Sequence, residues 1–224
     1  YGLGGLSFAL LADRLLGSET VQPAEPGWRG ALRHPHFPVK ARRIIYLCMA
    51  GGPSHLETFD YKPELVRLDG QVFPDSFTQG QQLAQLQNTV LKARGPIAPF
   101  RRRGQCGMWM NDLLPHLGQV ADELCWMRSL HTEAINHEPA MSQMQTGNQV
   151  TGRPCLGAWA SYGLGSLNAN LPTFVVMVAT PSNREQEQAI SGRVWSSGYL
   201  PGIHAGVSFR AKGDPILFLN NPPG

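Results

Sequence analysis

Ile44-Ile45-Tyr46-Leu47-Cys48-Met49 runs directly into Ala50-Gly51-Gly52-Pro53-Ser54-His55. A short, unbroken apolar run entered from Arg42-Arg43 predicts a buried strand, central in a parallel sheet, because a strand covered on both faces shows no polar alternation. Gly51-Gly52-Pro53 is then a sharp turn. In open α/β sheets ligands bind beyond the carboxyl ends of the strands. The loop from Gly51 to Asp60 falls in that place and carries Ser54, His55, Glu57 and Asp60. It is not a phosphate-binding P-loop, because the Gly-Lys-Ser/Thr ending is missing.

Working outward, Phe174-Val175-Val176-Met177-Val178 reads as the clearest strand, and Leu124-Cys125-Trp126-Met127-Arg128 as another. Ile97-Ala98-Pro99-Phe100, the arginines and Gly104 to Met110 suggest a hairpin or loop. Glu64–Gly70 reads as a short helix or turn, Asn111–Val120 has helical spacing, and Leu156–Tyr162 reads as a helix ended by Gly163 and Gly165. Strands separated by helical stretches predict an α/β fold, a mainly parallel sheet flanked by helices.

With 224 residues, 42% hydrophobic and 16% charged, the chain can bury a sizeable core. Its 25 glycines and 18 prolines predict long irregular connections. A net charge of +3 gives no support to nucleic-acid binding, and the one basic run, Arg101-Arg102-Arg103, has no aromatic-interleaved partner. The four cysteines, Cys48, Cys106, Cys125 and Cys155, show no CxxC spacing and indicate neither zinc nor a thioredoxin-type site. Pairing of Cys106 with Cys125 is left open by the sequence. Tyr1–Leu16 is too short and interrupted to span a bilayer. Residues 1–20 read as the remnant of an export signal, 21–40 as a Pro- and His-rich linker, and 41–224 as the folded part.

The densest polar stretch is Arg128 to Asn148, which holds His131, Glu133, Asn136, His137 and Glu138. Pro139 fits the first turn of a helix, where its missing N–H would be unpaired anyway. Asn136 is placed as N-cap and Gly147 as the stop. His137 and Glu138 then sit at a helix N-terminus, where outward backbone N–H groups favour anions. The bland alternative is a capped surface helix with polar decoration.

These stretches resemble a known family. Met49 to Pro63 looks like the opening motif of the DUF1501 proteins, and His131-Thr132-Glu133-Ala134-Ile135-Asn136-His137-Glu138-Pro139-Ala140 resembles their central motif. Gln145-Thr146-Gly147-Asn148, Gly152-Arg153-Pro154, Trp195-Ser196-Ser197-Gly198-Tyr199-Leu200-Pro201-Gly202 and Phe209 to Pro215 are similar further on. The resemblance implies an exported protein, periplasmic or extracellular, often with a twin-arginine signal. It also implies a fold near the alkaline phosphatase and sulfatase superfamily, of which this chain is the N-terminal, truncated part. That superfamily cleaves sulfate or phosphate esters with a nucleophile at a helix N-terminus and metal ions held by Asp and His.

The superfamily's sulfatases carry a Cys/Ser-x-Pro-x-Arg pattern followed by a Thr-Gly pair. On this resemblance His137 takes the nucleophile position and Met141 that of the arginine, both departures, with Thr146-Gly147 as the pair. No Asp ends the first strand, and His55, Asp60 and His131 are the substitute ligands for a divalent metal (Zn, Ca or Mg). Ser54, Asn136 and Arg153 are the candidates for holding substrate, a small-molecule or polysaccharide ester. The chemistry needs a polarising cation, a nucleophile and a proton donor. The competing expectation is a binding or surface-assembly protein that keeps the fold without the reaction.

Overall fold

The computed structural model describes residues 30–32, 36–38, 40–80, 89–168, 170–179 and 190–216. The export-signal stretch 1–20, most of the 21–40 linker and the run after Ile216 lie outside the described residues. The chain forms two compact units, one from Gly51 to Asn136 and one from Tyr1–Ala50 with His137–Gly224. Both mix helices with small sheets.

In the Gly51–Asn136 unit, a 3-10 turn at His55–Glu57 precedes α1 (Pro63–Leu68) and a second 3-10 turn at Asp75–Phe77. A hairpin comes next, β1 (Phe100–Arg103) antiparallel to β2 (Met108–Asn111), with Phe100 opposite Asn111 and Arg103 opposite Met108. Then come α2 (Pro115–Gln119) and a 3-10 turn at Ala121–Glu123. Pro63 and Pro115 both start their helices, where the fixed φ costs nothing. The hairpin turn needs Gly104 twice over. Its φ is +65°, and a Cβ there would stand 2.5 Å from Asp122 Oδ1.

Met108 and Met110 point into this unit's core with Ala93 and Ala121, while Trp109 between them faces the other way. Asn111 is fully buried yet paired on both ends of its amide. Its Nδ2 donates to Ala98 O (3.0 Å), and its Oδ1 accepts from Leu113 N (2.9 Å). Tyr61 stacks on Phe100 (5.0 Å) and meets the Trp109 ring at a tilt (4.9 Å), joining the loop after His55 to the hairpin.

The second unit holds α3 (His137–Thr146), α4 (Leu156–Leu164), β3 (Val175–Met177) and β4 (Val207–Phe209), with 3-10 turns at Gly192–Trp195 and Gly202–His204. β3 and β4 are parallel, Val175 opposite Val207. The core is Cys155, Ala158, Tyr162 and Leu200, flanked by Ala31, Trp159, Phe174 and Trp195. Cys155 caps α4, its Sγ accepting from Ala158 N at 3.4 Å. Gly165, at φ +75°, ends the helix by donating to Ser161 O. Within the 21–40 stretch, Ala31 and Leu32 donate to the Tyr162 and Gly163 carbonyls (2.8 and 2.9 Å), closing the open end of α4.

Two expected strands are absent. Ile44–Met49 is irregular and largely exposed, with Ile45 at 83% and Leu47 at 86%. Leu124–Arg128 is irregular as well. An apolar run becomes a strand only where a neighbour supplies ladder hydrogen bonds, and no described strand pairs with either segment. The described sheets are therefore one antiparallel hairpin and one parallel pair.

Candidate functional site

Gly51 and Gly52 adopt φ of +81° and +64°, which turns the chain into Ser54 and His55. Main-chain oxygens hold the loop beyond this turn in place. Ser54 O accepts from Glu57 N (3.1 Å) and Thr58 Oγ1 (3.0 Å). His55 O accepts from the N–H groups of Thr58, Phe59 and Asp60 (3.2, 3.0 and 2.9 Å). The Ser54 and His55 side chains stay exposed. Glu57 Oε2 accepts from Ile97 N at 3.0 Å, so this carboxylate ties loop to loop. Asp60 is paired with Lys62 at 2.9 Å. His131 and Asn136 are exposed in the same unit. Among the described residues no group of three or more His, Cys, Asp or Glu gathers closely enough to hold a metal ion.

The helix expected after Asn136 forms, and it begins with His137 itself. Met141 and Ser142 are its buried face, and it packs against the Gly192–Trp195 turn. Thr146 and Gly147, which on the resemblance come after the nucleophile, finish the helix. Gly147 at φ +75° donates to Gln143 O, and the Ser142 and Thr146 hydroxyls both donate to Asn148 O (2.9 and 3.1 Å). His137 and Glu138 remain exposed at the N-terminus, the end that favours negative charge.

Arg153 is exposed and Pro154 fully buried. The backbone around them meets the Trp195–Gly202 segment, with Cys155 N donating to Ser196 O at 3.4 Å. Arg153 is thereby displayed from a fixed loop, in the same unit as His137.

The basic run is already engaged. Arg101 and Arg103 each reach an Asp112 oxygen at 2.7 Å, while Arg102 lies 4.8 Å over the Trp109 ring and donates to Gly107 O. The hydrogen bond from Arg101, reinforced by both guanidinium charges, holds the Asp112 carboxyl below the ordinary value.

One polar pair escaped the sequence. Ser161 Oγ and His204 Nδ1 share a 3.0 Å hydrogen bond with both residues buried, at 3% and 4% exposure. The Tyr162 ring stands edge-on to the imidazole at 5.4 Å. Burial pushes the His204 pKa down. The signal was present in Ser161, three residues after Ala158 on the apolar face of α4, and in His204, two residues after the Trp195–Gly202 motif. Closed off from solvent, the pair is a polar tie between α4 and the Gly202–His204 turn.

No curated protein and no solved structure matches the chain. The model of one family, described as "Protein of unknown function (DUF1501)", matches residues 41–224. That span takes in both units from Ala41 onward, the opening loop, α3 and the Trp195–Gly202 motif alike, and the chain belongs to the DUF1501 family.

Proposed function

We propose that this protein is an exported, sulfatase-like hydrolase of sulfate or phosphate esters, polysaccharide esters included, with His137 as its central group. The observation that carries the reading is the position of His137, exposed on the first residue of a ten-residue helix whose far end and inner face are fixed. Backbone N–H groups at that end favour an anionic head group and the charge that grows on it during transfer. An imidazole nitrogen there attacks phosphorus or sulfur, the P–O or S–O ester bond breaks, the leaving oxygen takes a proton from solvent water, and a second water cleaves the histidine adduct. Arg153, in the same unit as His137, is the proposed second contact for the anion.

His55, Asp60 and His131 are the proposed metal ligands. Two imidazoles with one carboxylate suit zinc better than calcium or magnesium, which favour oxygen. Asp60 faces Lys62 and the three do not gather. The attack by His137 is therefore not routed through a metal. In fold, the parallel β3–β4 pair is what supports a mainly parallel, sulfatase-like sheet.

Met141 favours a second reading, a non-catalytic binding or surface-assembly protein. On the resemblance it stands where an arginine would meet the ester, yet it is buried. The test is turnover of p-nitrophenyl sulfate and p-nitrophenyl phosphate, with metal analysis of the purified protein, for the natural sequence and for His137→Ala. Turnover that falls at least about a hundredfold in the variant supports the hydrolase. No turnover and no bound metal in either protein moves the assignment to the binding reading.

A further inference from the structure

We propose that Cys106 and Cys125 form a disulfide under oxidising conditions, clamping the turn of the β1–β2 hairpin onto the chain beyond the Ala121–Glu123 turn. The proposal stands on geometry within one unit and is independent of the ester-hydrolase reading. Both thiols are free and exposed. The two segments that carry them are already joined. The Asp122 carboxylate accepts from Gln105 N at 2.8 Å and from Cys106 N at 2.7 Å, and Gly104 leaves the room for that approach.

One carbonyl then collects both sides. Ala121 O takes the Leu124 N–H at 3.4 Å, the Trp126 Nε1–H at 3.4 Å and the Cys106 thiol at 3.9 Å. Leu124 and Trp126 flank Cys125, so the residues on either side of it meet the same oxygen as the Cys106 sulfur. From Leu124 to Met127 the backbone is irregular and mostly exposed. Cys125 can turn its Cβ toward Cys106 without breaking a helix or strand, and the bond then needs Cα atoms about 4.4–6.8 Å apart. Of the other two cysteines, Cys155 is buried under α4, and Cys48 is exposed and is the competitor the test must exclude.

The chemistry is thiol–disulfide exchange with a small disulfide such as oxidised glutathione. One cysteine thiolate attacks it, forming a mixed disulfide and releasing one glutathione thiolate. The second cysteine thiolate attacks the protein-side sulfur, the Cys106–Cys125 bond forms, and a second glutathione thiolate leaves. Two protein thiols are oxidised, one glutathione disulfide is reduced, and the two thiol protons end on glutathione.

The experiment treats the purified protein with oxidised glutathione, digests it without reductant and maps linked peptides by mass spectrometry. The expected result is one intramolecular Cys106–Cys125 link with a mass loss of two hydrogens, reversed by dithiothreitol, and an unfolding midpoint several degrees higher in the oxidised form. Cys106→Ser should leave Cys125 as a glutathione adduct, and Asp122→Ala should slow closure several-fold while both thiols still react. Glutathione adducts on both residues of the natural sequence, a link from either to Cys48, or a cross-linked dimer overturns the proposal.

Discussion

Gly198 and Pro154 meet backbone to backbone. At φ +56° Gly198 sits so close to the Arg153–Pro154 peptide that a Cβ on it would also stand 2.8 Å from Gly152 O. The neighbours are main-chain atoms of a segment holding a fully buried proline, and they cannot swing aside as a side chain would. Two stretches that look like separate signatures in the sequence are thus halves of one packing contact. Gly198→Ala should lower the unfolding free energy by about 3 kcal/mol, combining the left-handed penalty with the overlap. Gly202→Ala is the control, because a Cβ there meets nothing within 4 Å. Chemical denaturation of both variants measures the difference.

The Ser161–His204 pair sets a pH dependence. Burial holds the folded imidazole below its ordinary value of 6.5, so the native state favours neutral His204 and the unfolded chain binds a proton more readily. By proton linkage, stability from this group is whole above pH 6.5, falls as pH drops below that value, and stops falling beneath the folded pKa. Denaturation midpoints across that range should decline on the acid side, and His204→Gln should flatten the decline. Ser161→Ala removes the hydrogen bond itself and should cost about 1 kcal/mol.

Local punctuation was legible in the sequence. Pro139 sits in the first turn of α3, Gly147 follows its last residue and Gly165 stops α4, because each depends on the φ that one residue allows. Ile44–Met49 misleads for the opposite reason. Its composition reports that it is apolar, while pairing depends on a partner that composition does not name. The same holds for Leu124–Arg128. In the opening loop the polar residues were visible, but the tie through the His55 carbonyl was not, since any residue supplies that oxygen. Ser161 and His204 lie 43 positions apart, and no local spacing links them.

Asp122 should titrate below the ordinary aspartate value. The backbone N–H of Cys106, then that of Gln105, stabilises its charged form and lowers its pKa beneath 3.8. The stability it contributes is present above that value and is lost as pH falls through the folded pKa. Carbon-detected NMR titration of the aspartate carboxyls should find the Asp122 midpoint below the ordinary one, and an Asp122 midpoint at or above it would refute the assignment. Asp122→Asn should remove the shifted titration and broaden the amide resonances of Gln105 and Cys106.

Gly157 pits two effects of similar size against each other. It lies inside α4, where alanine is favoured over glycine by about 1 kcal/mol. A Cβ there would stand 2.5 Å from Phe174 Cε2, so the ring must move. It has little room to do so, because on another side Gly206 already lies so close that its own Cβ would be 2.9 Å from Phe174 Cε1. Overpacking of this kind costs about 1–3 kcal/mol, enough to outweigh the helical gain. Gly157→Ala should therefore destabilise the protein by about 1 kcal/mol. Adding Phe174→Leu should reverse the sign of the alanine effect, since the slot then has space and only the helix preference remains. A double-mutant cycle of the two positions measures that coupling, and additivity within error would mean that the ring does not fill the slot between the two glycines.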